Sequence, residues 1–359
     1  MATIASLGSA LQDIYLVDGD DFVSESVHQK SVLAKLEIGT KVDIDNMTYS
    51  VGGGGINSAV TFARAGHHAF FLGSVGTDLP SQIIRNRCQK ESISTEFIHE
   101  SPKNTGCSVI LLDSTTGERT ILTHRGASAD FAKISPTILE KIKPDWLYIT
   151  TLQGDFTTLE KFIKKAHALG IKIMFNPGKR ELQTPAKLLP LLKNLDILLL
   201  NESEAALLAT ASTRKPKTEH NLFKPKLYRL LTKINSYAKI TIITSGKTGG
   251  ILSYSQNTAI EPISSPKHHI KNSPVPNQPT ESIYSFGIYS DVPVLDTTGA
   301  GDAFGSGFLA AYADSENIEK SLTFASANST NTVQYLGAND HLLYLKTTKL
   351  KNFPIKKIK

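Results

Sequence analysis

The sequence LDTTGAGDAFGSGFLAAYA, from Leu295 to Ala313, joins a glycine-rich turn to an apolar segment with the spacing of a helix. Glycine in a turn costs conformational entropy, so such turns are typical of places where another group approaches the backbone closely. The N–H groups of Gly299, Ala300 and Gly301 are predicted to point outward at the start of the helix. Together with the helix dipole they form a site for an anion such as phosphate, although a tight turn without a ligand explains the glycines equally well.

Asp302 stands directly after these glycines, where its negative charge makes it a poor ligand for phosphate. We interpret it as a base that takes a proton from a hydroxyl while neighbouring amides stabilise the charge of a transferred phosphoryl group. A helix-capping role also accounts for Asp302, but it leaves Asp296 and the glycines unexplained. No Walker lysine accompanies the turn, which excludes a P-loop NTPase.

The rest of the chain alternates between strand-like and helix-like segments. Ala2–Gly8 and Leu195–Leu200 are predicted strands, whereas Ile56–Ala65 has helical spacing and ends at Gly66. Apolar strands separated by amphipathic helices form parallel sheets that are covered on both faces. The sequence therefore predicts a three-layer α/β/α fold with a mostly parallel central sheet.

Two regions, approximately 14–50 and 105–124, instead show the alternation of hairpin strands; CSVILLDSTTGERTIL is two strands around a turn. We predict that they form a small β-sheet lid inserted in a single domain spanning 1–359. The exposed edge of such a sheet favours a homodimer through the lid. Residues 256–291, rich in Pro, Ser, Asn and His, are predicted to be a surface insertion, as are 215–226, and 346–359 form a basic tail.

Composition excludes several classes of protein. The net charge of +6 is spread out, and its local excesses lack the interleaved aromatic residues of a nucleic-acid platform. No run of about 18 apolar residues is present, which argues against a membrane span, and the amino terminus lacks the basic region of a signal peptide. Cys88 and Cys107 give no disulfide framework. We expect a soluble, cytoplasmic protein that binds neither nucleic acid nor membranes.

Four elements of the sequence together resemble one family. DTTGAGDAFGSGFLAAYA looks like the second signature of the PfkB carbohydrate kinases, and GGGGINSAVTFARAGHHAFFLGSVGTD (Gly52–Asp78) looks like the first. Between them, NESE (Asn201–Glu204) fits the Asn-x-x-Glu motif, and TSGKTGG (Thr244–Gly250) fits the nucleotide loop. The elements occur in the order of the family, and the resemblance covers about residues 2 to 340. It implies a ribokinase-like fold.

The resemblance implies an ATP-dependent phosphotransferase that phosphorylates a hydroxyl, expected to be primary, on a small sugar. Asp302 resembles the catalytic base of the family. Asn201 and Glu204 resemble the pair that organises Mg²⁺, mostly through water; an N-cap role for Asn201 is compatible with that task. The anion hole under the transferred phosphoryl group corresponds to Gly299, Ala300 and Gly301.

Further positions resemble the nucleotide and cation sites of the family. Thr244, Gly246 and Gly249 resemble residues that contact ATP, because small residues let the backbone meet phosphate and base; a plain hairpin turn explains them as well. Asp296 and Thr298 resemble the edge of a K⁺ site beside the anion hole.

The predicted acceptor pocket combines Asp13, the glycine run and the lid. Asp13 resembles the carboxylate that accepts hydrogen bonds from two sugar hydroxyls, unless it is an ordinary polar residue near a strand end. Gly53, Gly54 and Asn57 resemble the element that closes on the sugar, although the extra glycine leaves the register open and Asn57 suits a buried helix start. Arg125, beside His124, either meets a carboxylate or phosphate on the acceptor or is a solvated charge.

Two alternatives remain at this point. A nucleoside kinase of the adenosine type shares the fold and signatures, and the lid aromatics Tyr15, Phe22 and Tyr49 would stack on its base. A non-catalytic pseudokinase that senses a sugar is the alternative from another class. Such proteins commonly lose the base or the magnesium motif, and both are present in this sequence.

Overall fold

The computed structural model describes residues 1–17, 23–26, 32–35, 39, 41, 43–44, 46–112, 119–212, 224–255, 281–350 and 353–359. The strands are β1 Thr3–Leu7, β2 Leu11–Val17, β3 Val23–Ser26, β4 Val32–Lys35, β5 Asn46–Gly52, β6 His68–Leu72, β7 Ser74–Val75, β8 His99–Glu100, β9 Gly106–Leu112, β10 Arg119–His124, β11 Trp146–Ile149, β12 Lys172–Phe175, β13 Leu195–Asn201, β14 Ala238–Thr244, β15 Gly250–Ser255, β16 Glu281–Phe286 and β17 Ile355–Lys357. The α-helices are α1 Gly54–Arg64, α2 Leu79–Lys90, α3 Ile138–Ile142, α4 Phe156–Ala168, α5 Lys179–Leu182, α6 Pro185–Leu192, α7 Glu202–Thr210, α8 Pro225–Ile234, α9 Ala300–Ser315 and α10 Ile318–Thr332. Among these described helices, none combines the length and apolar character that crossing a membrane requires.

The main sheet has nine strands in the order β17-β16-β15-β14-β13-β12-β11-β1-β6. The six strands from β14 to β6 in this order pair in parallel. At the other edge, β15, β16 and β17 continue the sheet with antiparallel pairing. The prediction of a mostly parallel sheet is therefore confirmed. In such a sheet the carboxyl ends of the parallel strands meet at one edge, which is where ligands bind.

Each face of this sheet carries its own buried core. On β11, Trp146 and Tyr148 pack in the cluster that includes residues of α1, α9 and α10. Leu147 and Ile149, which point the other way, pack in the cluster that includes residues of α4, α7 and α8. Side chains alternate between the two faces of a strand, so strands buried on both faces need apolar residues at nearly every position. The three-layer α/β/α arrangement follows.

A second sheet, which we call the lid sheet, has the strand order β10-β9-β2-β5. The predicted hairpin is present, because β9 and β10 pair antiparallel from Cys107 with His124 to Leu112 with Arg119. The sheet begins at Leu11, three residues before the expected start, because β2 pairs along its whole length with β5 and β9. Exposed apolar side chains of this sheet are Met47, Tyr49, Ile121 and Leu122.

Two predicted surface segments contribute strands to the main sheet instead. Residues 281–286, within the predicted insertion 256–291, form β16, where Ile283 and Phe286 are buried. In the basic tail, β17 pairs with β16. The surrounding Pro, Ser and Asn hid the strand pattern of ESIYSF, and Lys-rich residues suit an edge strand, whose outer side faces water. Of the two predicted insertions, residues 256–280 and 215–223 lie outside the described residues.

Candidate active site

A cleft opens where the carboxyl ends of β12, β13 and β14 meet the start of α9. Its cavity of about 190 Å³ is lined by Asn176, Leu199, Asn201, Glu204, Thr244, Gly299, Gly301 and Asp302. Five positions predicted from three separate motifs therefore line one cavity together with Asp302. Asn176, which follows β12, was not predicted, because no motif marks the end of that strand.

Gly299 begins the helix that closes the floor of this cleft. It is the N-cap of α9, with φ of 77°, in the left-handed region that favours glycine. A Cβ atom at this position would lie 2.5 Å from the Cβ atom of Ala338. Both the backbone conformation and the close contact therefore require glycine here.

The amides at the start of α9 are only partly as predicted. The N–H of Ala300 donates to the carbonyl oxygen of Thr297 at 3.3 Å, so the prediction of a fully free amide at Ala300 is wrong. Within the described part of the chain, three other amides at this turn donate no backbone hydrogen bond; they belong to Gly299, Gly301 and Asp302. Unpaired amides at the positive end of a helix attract an anion. The amide of Asp302 thus joins the predicted pair of glycines.

Asp302 lies in the first turn of α9 rather than at its N-cap, which removes the capping explanation. Its Oδ2 accepts a hydrogen bond of 2.9 Å from Nδ2 of Asn57. Although the residue is only partly buried in the cleft, the protein crowds its carboxylate, and desolvation raises the pKa of Asp302. The bond from Asn57 acts in the opposite direction, because it stabilises the charged form, but the net shift is upward.

Asn339 fixes the orientation of Asn57. It is fully buried, and its Nδ2 donates to Oδ1 of Asn57 at 2.7 Å and to the carbonyl of Val51 at 2.6 Å. An amide group whose oxygen accepts from one neighbour must present its NH₂ group to the other, so Asn57 donates to Asp302. No sequence signal marks Asn339, which lies beyond α10 in a segment without a motif.

We predict that Asn339→Ala shifts the pH dependence of turnover. Without Asn339, the Asn57 amide is free to rotate, and Asp302 loses the bond that lowers its pKa. The pKa of Asp302 then rises further, so the acidic limb of kcat/KM moves to higher pH. Asn331→Ala removes a comparable bond, to the carbonyl of His341, and leaves the limb in place. An unchanged limb in Asn339→Ala would show that Asn57 keeps its orientation without it.

Asn201 and Glu204 form a reciprocal capping box at the start of α7. Oδ1 of Asn201 accepts from the N–H of Glu204 at 2.9 Å, and Oε2 of Glu204 accepts from the N–H of Asn201 at 2.8 Å. The N-cap interpretation of Asn201 is therefore confirmed. One oxygen of Glu204 and the amide nitrogen of Asn201 are not used by these two bonds, and both residues line the cleft. Burial, together with the nearby charge of Asp302, raises the pKa of Glu204.

A second cavity, of about 120 Å³, shares Thr244 and Gly301 with the first. Gly249 has φ of 80°, and a Cβ atom there would lie 2.2 Å from the carbonyl oxygen of Phe286. The predicted nucleotide residues Thr244, Gly246 and Gly249 thus line one cavity, whereas Asn201, which was also predicted to bind the nucleotide, lines the first cavity. Ala300 of the predicted anion hole also lines the second cavity, and the walls of that cavity that the sequence did not indicate are Phe286, Gly287, Ile288, Phe304, Ser326, Ser329 and Thr330.

Asp13 lies in β2, inside the lid sheet, and only 5% of it is exposed. Burial is the main reason that its pKa is raised to about 6. A hydrogen bond from Ser108 lowers the pKa, and the negative charge of Asp296 makes a smaller upward contribution to the same net value. Gly52 leaves room for the carboxylate, since a Cβ atom at Gly52 would clash with Oδ2 of Asp13 at 1.8 Å. Asp13 is thus a buried carboxylate within a strand, and not an ordinary polar residue near a strand end.

The structure resolves the register of the glycine run. Gly52 and Gly55 are buried, whereas Gly53 and Gly54 are partly exposed at the start of α1. Gly53 has φ of 103°, and a Cβ atom there would lie 2.6 Å from the carbonyl oxygen of Ser9. The two glycines predicted to face the acceptor are therefore the two that are accessible.

Arg125 is half-buried, and beside it lies a second cation, Arg180, that the sequence did not indicate. Burial and the positive charge of Arg180 both lower the pKa of Arg125. Arg180 lies in α5, and its Nη1 is 3.5 Å from the carbonyl oxygen of Gln153. The interpretation of Arg125 as a solvated charge is therefore only partly right, and His124 is the exposed neighbour.

Asp296 and the lid aromatic residues lie in environments that the sequence did not indicate. Asp296 is 1% exposed, and its carboxylate already contacts the Tyr15 hydroxyl at 3.1 Å, the Thr298 N–H at 2.8 Å and the Arg119 guanidinium at 3.4 Å. A guanidinium thus already contacts the carboxylate at which K⁺ is predicted. Tyr15 is fully buried, so it is not available to stack on a base. Tyr49 is exposed, and Phe22 lies outside the described residues.

Known proteins are similar to this chain in sequence and in fold. The ribokinase of Bacillus subtilis is 27% identical over 80% of this chain and 82% of its own length. The structure of Arabidopsis thaliana ribokinase complexed with ribose and ATP matches with a TM-score of 0.70 at 21% identity, covering 96% of this chain and 97% of that one. A Burkholderia thailandensis nucleoside kinase in complex with inosine matches with a TM-score of 0.65 at 17% identity, covering 95% and 94%.

The family model described as pfkB family carbohydrate kinase matches residues 3–273 and 286–343. Those two ranges contain all four sequence motifs, from the glycine run at α1 to the start of α9. The chain therefore belongs to the pfkB family of carbohydrate kinases, and it is a phosphotransferase that acts on a hydroxyl group.

Proposed function

We propose that this protein is an ATP-dependent kinase that phosphorylates a hydroxyl group, a primary one, of a small sugar. The observation that carries the proposal is the position of Asp302, beside unpaired amides of α9 in a cavity that adjoins the predicted nucleotide cavity. The ribokinase relatives support a sugar as acceptor, and the neighbour solved with ribose and ATP supports ATP as the donor.

In this mechanism the protein positions the acceptor and removes its proton. Asp13, with Gly53 and Gly54, holds the sugar so that one hydroxyl faces Asp302. Asp302 takes the proton of that hydroxyl, and its raised pKa makes it a stronger base than an exposed carboxylate. The free amides and the helix dipole stabilise the charge on the transferred phosphoryl group, since phosphoryl transfer depends mainly on positioning and electrostatics.

Glu204, Asn201 and Asn176 would hold Mg²⁺ in this cleft. All three line the cavity; Glu204 and Asn176 offer the oxygen atoms that Mg²⁺ prefers, whereas the side-chain oxygen of Asn201 already accepts from the Glu204 amide and its NH₂ group is left to contact the water shell. In the residues that the structure describes, no three His, Cys, Asp or Glu side chains are grouped as a direct metal site. This donor set fits an ion that keeps most of its water shell. When bound, Mg²⁺ would supply positive charge beside the phosphates of the nucleotide.

The nucleoside alternative rests on the neighbour solved with inosine. Of the three aromatic residues that favoured it, Tyr15 is buried, and its hydroxyl donates a hydrogen bond to Asp296. The pseudokinase alternative loses support because the base and the capping pair lie in one cavity. A homodimer through the lid sheet stays a prediction.

A screen of acceptors tests the proposed function. ADP release is measured with purified protein across pentoses, hexoses, keto-sugar acids and nucleosides, with Asp302→Asn as the inactive control. We expect turnover with a sugar. Turnover with nucleosides alone would establish the nucleoside alternative. Sugar binding by calorimetry without ADP release from any acceptor would establish a sensor instead.

We predict that the KM for the acceptor rises as the pH falls through about 6, the pKa of Asp13. A protonated Asp13 loses an acceptor site for the sugar hydroxyls, whereas kcat at saturating acceptor changes little from this cause. Ser108→Ala removes the bond that lowers this pKa, so the rise in KM begins at higher pH in that variant. Identical KM profiles for the two proteins would contradict the role given to Asp13.

A further inference from the structure

Within the described residues, the one lid-to-core ion pair beside the anion hole joins the partly exposed Arg119 to the buried Asp296. Arg119 begins β10, and Asp296 precedes α9 by four residues. Nε of Arg119 lies 3.4 Å from Oδ1 of Asp296, and Nη2 donates to Oγ1 of Thr297 at 2.8 Å. A single guanidinium thus contacts two successive residues of the turn that carries the anion hole.

We propose that Arg119 is the resident cation of the Asp296 site and takes the place of a bound monovalent ion. The protein would then turn over without K⁺, because the lid sheet supplies the positive charge. This inference deepens the proposed kinase function and rests on it for its rate measurement only.

The burial of Asp296 explains why a cation is needed there. The carboxylate is 1% exposed, and a buried charge without a partner is strongly unfavourable. Asp13, another buried carboxylate, is close enough for the charge of Asp296 to raise its pKa. The Tyr15 hydroxyl and the Thr298 N–H donate hydrogen bonds to Asp296 but carry no positive charge. Arg119 is the group that balances the charge.

The same geometry makes a second cation at this carboxylate unfavourable. Potassium bound to Oδ1 of Asp296 would lie next to the guanidinium of Arg119, and the two positive charges would repel each other. The guanidinium is 23% exposed, and its hydrogen bond to Thr297 fixes its position. Oγ1 of Thr298 is buried and has no hydrogen-bond partner among the described residues. Once the guanidinium is removed, the carboxylate of Asp296 and the hydroxyl of Thr297 both lose their contact with Arg119, and these oxygen atoms become available to K⁺.

The experiment compares wild type, Arg119→Gln and Arg119→Lys in potassium chloride and in tetramethylammonium chloride of equal ionic strength. We expect equal kcat in both salts for wild type. For Arg119→Gln we expect kcat to fall at least about tenfold without K⁺ and to recover in part with K⁺. Arg119→Lys should keep most of the activity without K⁺. Arg85→Gln, which breaks the surface pair with Glu100, is the matched control and should follow wild type.

Thermal unfolding gives a readout that does not depend on turnover. Potassium should raise the Tm of Arg119→Gln over its value in tetramethylammonium, and it should leave the Tm of wild type unchanged. Several-fold activation of wild type by K⁺, or a K⁺-dependent Tm in wild type, would overturn the inference. Absence of turnover in every salt would instead contradict the proposed function, and the Tm comparison would still decide the cation question. Should Arg119→Gln not fold, the wild-type and Arg119→Lys measurements suffice.

Discussion

Asp302→Asn lowers kcat by at least about 10²-fold while the protein stays folded and still binds its ligands. Asparagine preserves the size of the side chain and can still accept the hydrogen bond from Asn57, but it cannot take a proton from the acceptor hydroxyl. Initial rates of ADP release at saturating substrates measure the loss, and calorimetry with the acceptor measures binding. Near-normal turnover would show that Asp302 is not the base.

The same substitution has a predicted effect on stability, with a definite sign. Burial raises the pKa of Asp302 in the folded state, so ionisation costs stability as the pH rises from its unfolded to its folded pKa. At neutral pH the uncharged asparagine avoids that cost, and the Tm of Asp302→Asn should equal or exceed the wild-type value. Asp314→Asn, at a half-exposed position of the same helix, is the control and should change neither rate nor Tm appreciably.

Gly301→Val lowers kcat by about 10²-fold without loss of stability. Gly301 lies in the first turn of α9, and no heavy atom is within 4 Å of the place where its Cβ would stand. The fold therefore accepts a side chain there, and replacing a helical glycine is itself stabilising by about 0.5–1 kcal/mol for alanine. The same residue lines both cavities, so a branched side chain would stand where the phosphoryl group must pass.

A graded series tests this steric argument. Gly301→Ala adds one methyl group and should reduce kcat less than Gly301→Val, while thermal unfolding shows both variants to be at least as stable as wild type. Equal kcat in all three proteins would mean that the phosphoryl group does not pass Gly301. A marked fall of Tm in Gly301→Val would instead mean that the open space is filled in solution.

Much of the cleft was predictable from the sequence because its parts are local. The left-handed turn at Gly299, the capping box of Asn201 and Glu204, and the helix that carries Asp302 each depend on residues within one turn of the chain. Their order along the chain, with strands between them, then indicated that they meet at the carboxyl edge of one sheet. The structure brings these motifs into a single cavity.

Other parts were mispredicted where composition masked a pattern. Phe286 lines the predicted nucleotide cavity, although it belongs to a segment whose Pro, Ser and Asn content predicted a surface insertion. Tyr15 looked like a lid aromatic open to a base, but the alternation of β2 turns it inward toward Asp296. In each case the environment of the side chain depended on which strand lay beside it, and local composition does not reveal that.

Local sequence was enough to predict the fold class, the family and the residues that line the cleft, because backbone turns and helix starts are set by neighbours in the chain. Which groups tune those residues depends instead on the tertiary packing. Asn339 reaches Asn57 across 282 positions, and Tyr15 reaches Asp296 across 281. Such contacts depend on strand order and register, which bring distant segments within hydrogen-bonding distance. The orientation of Asn57 and the cation beside Asp296 follow from that packing.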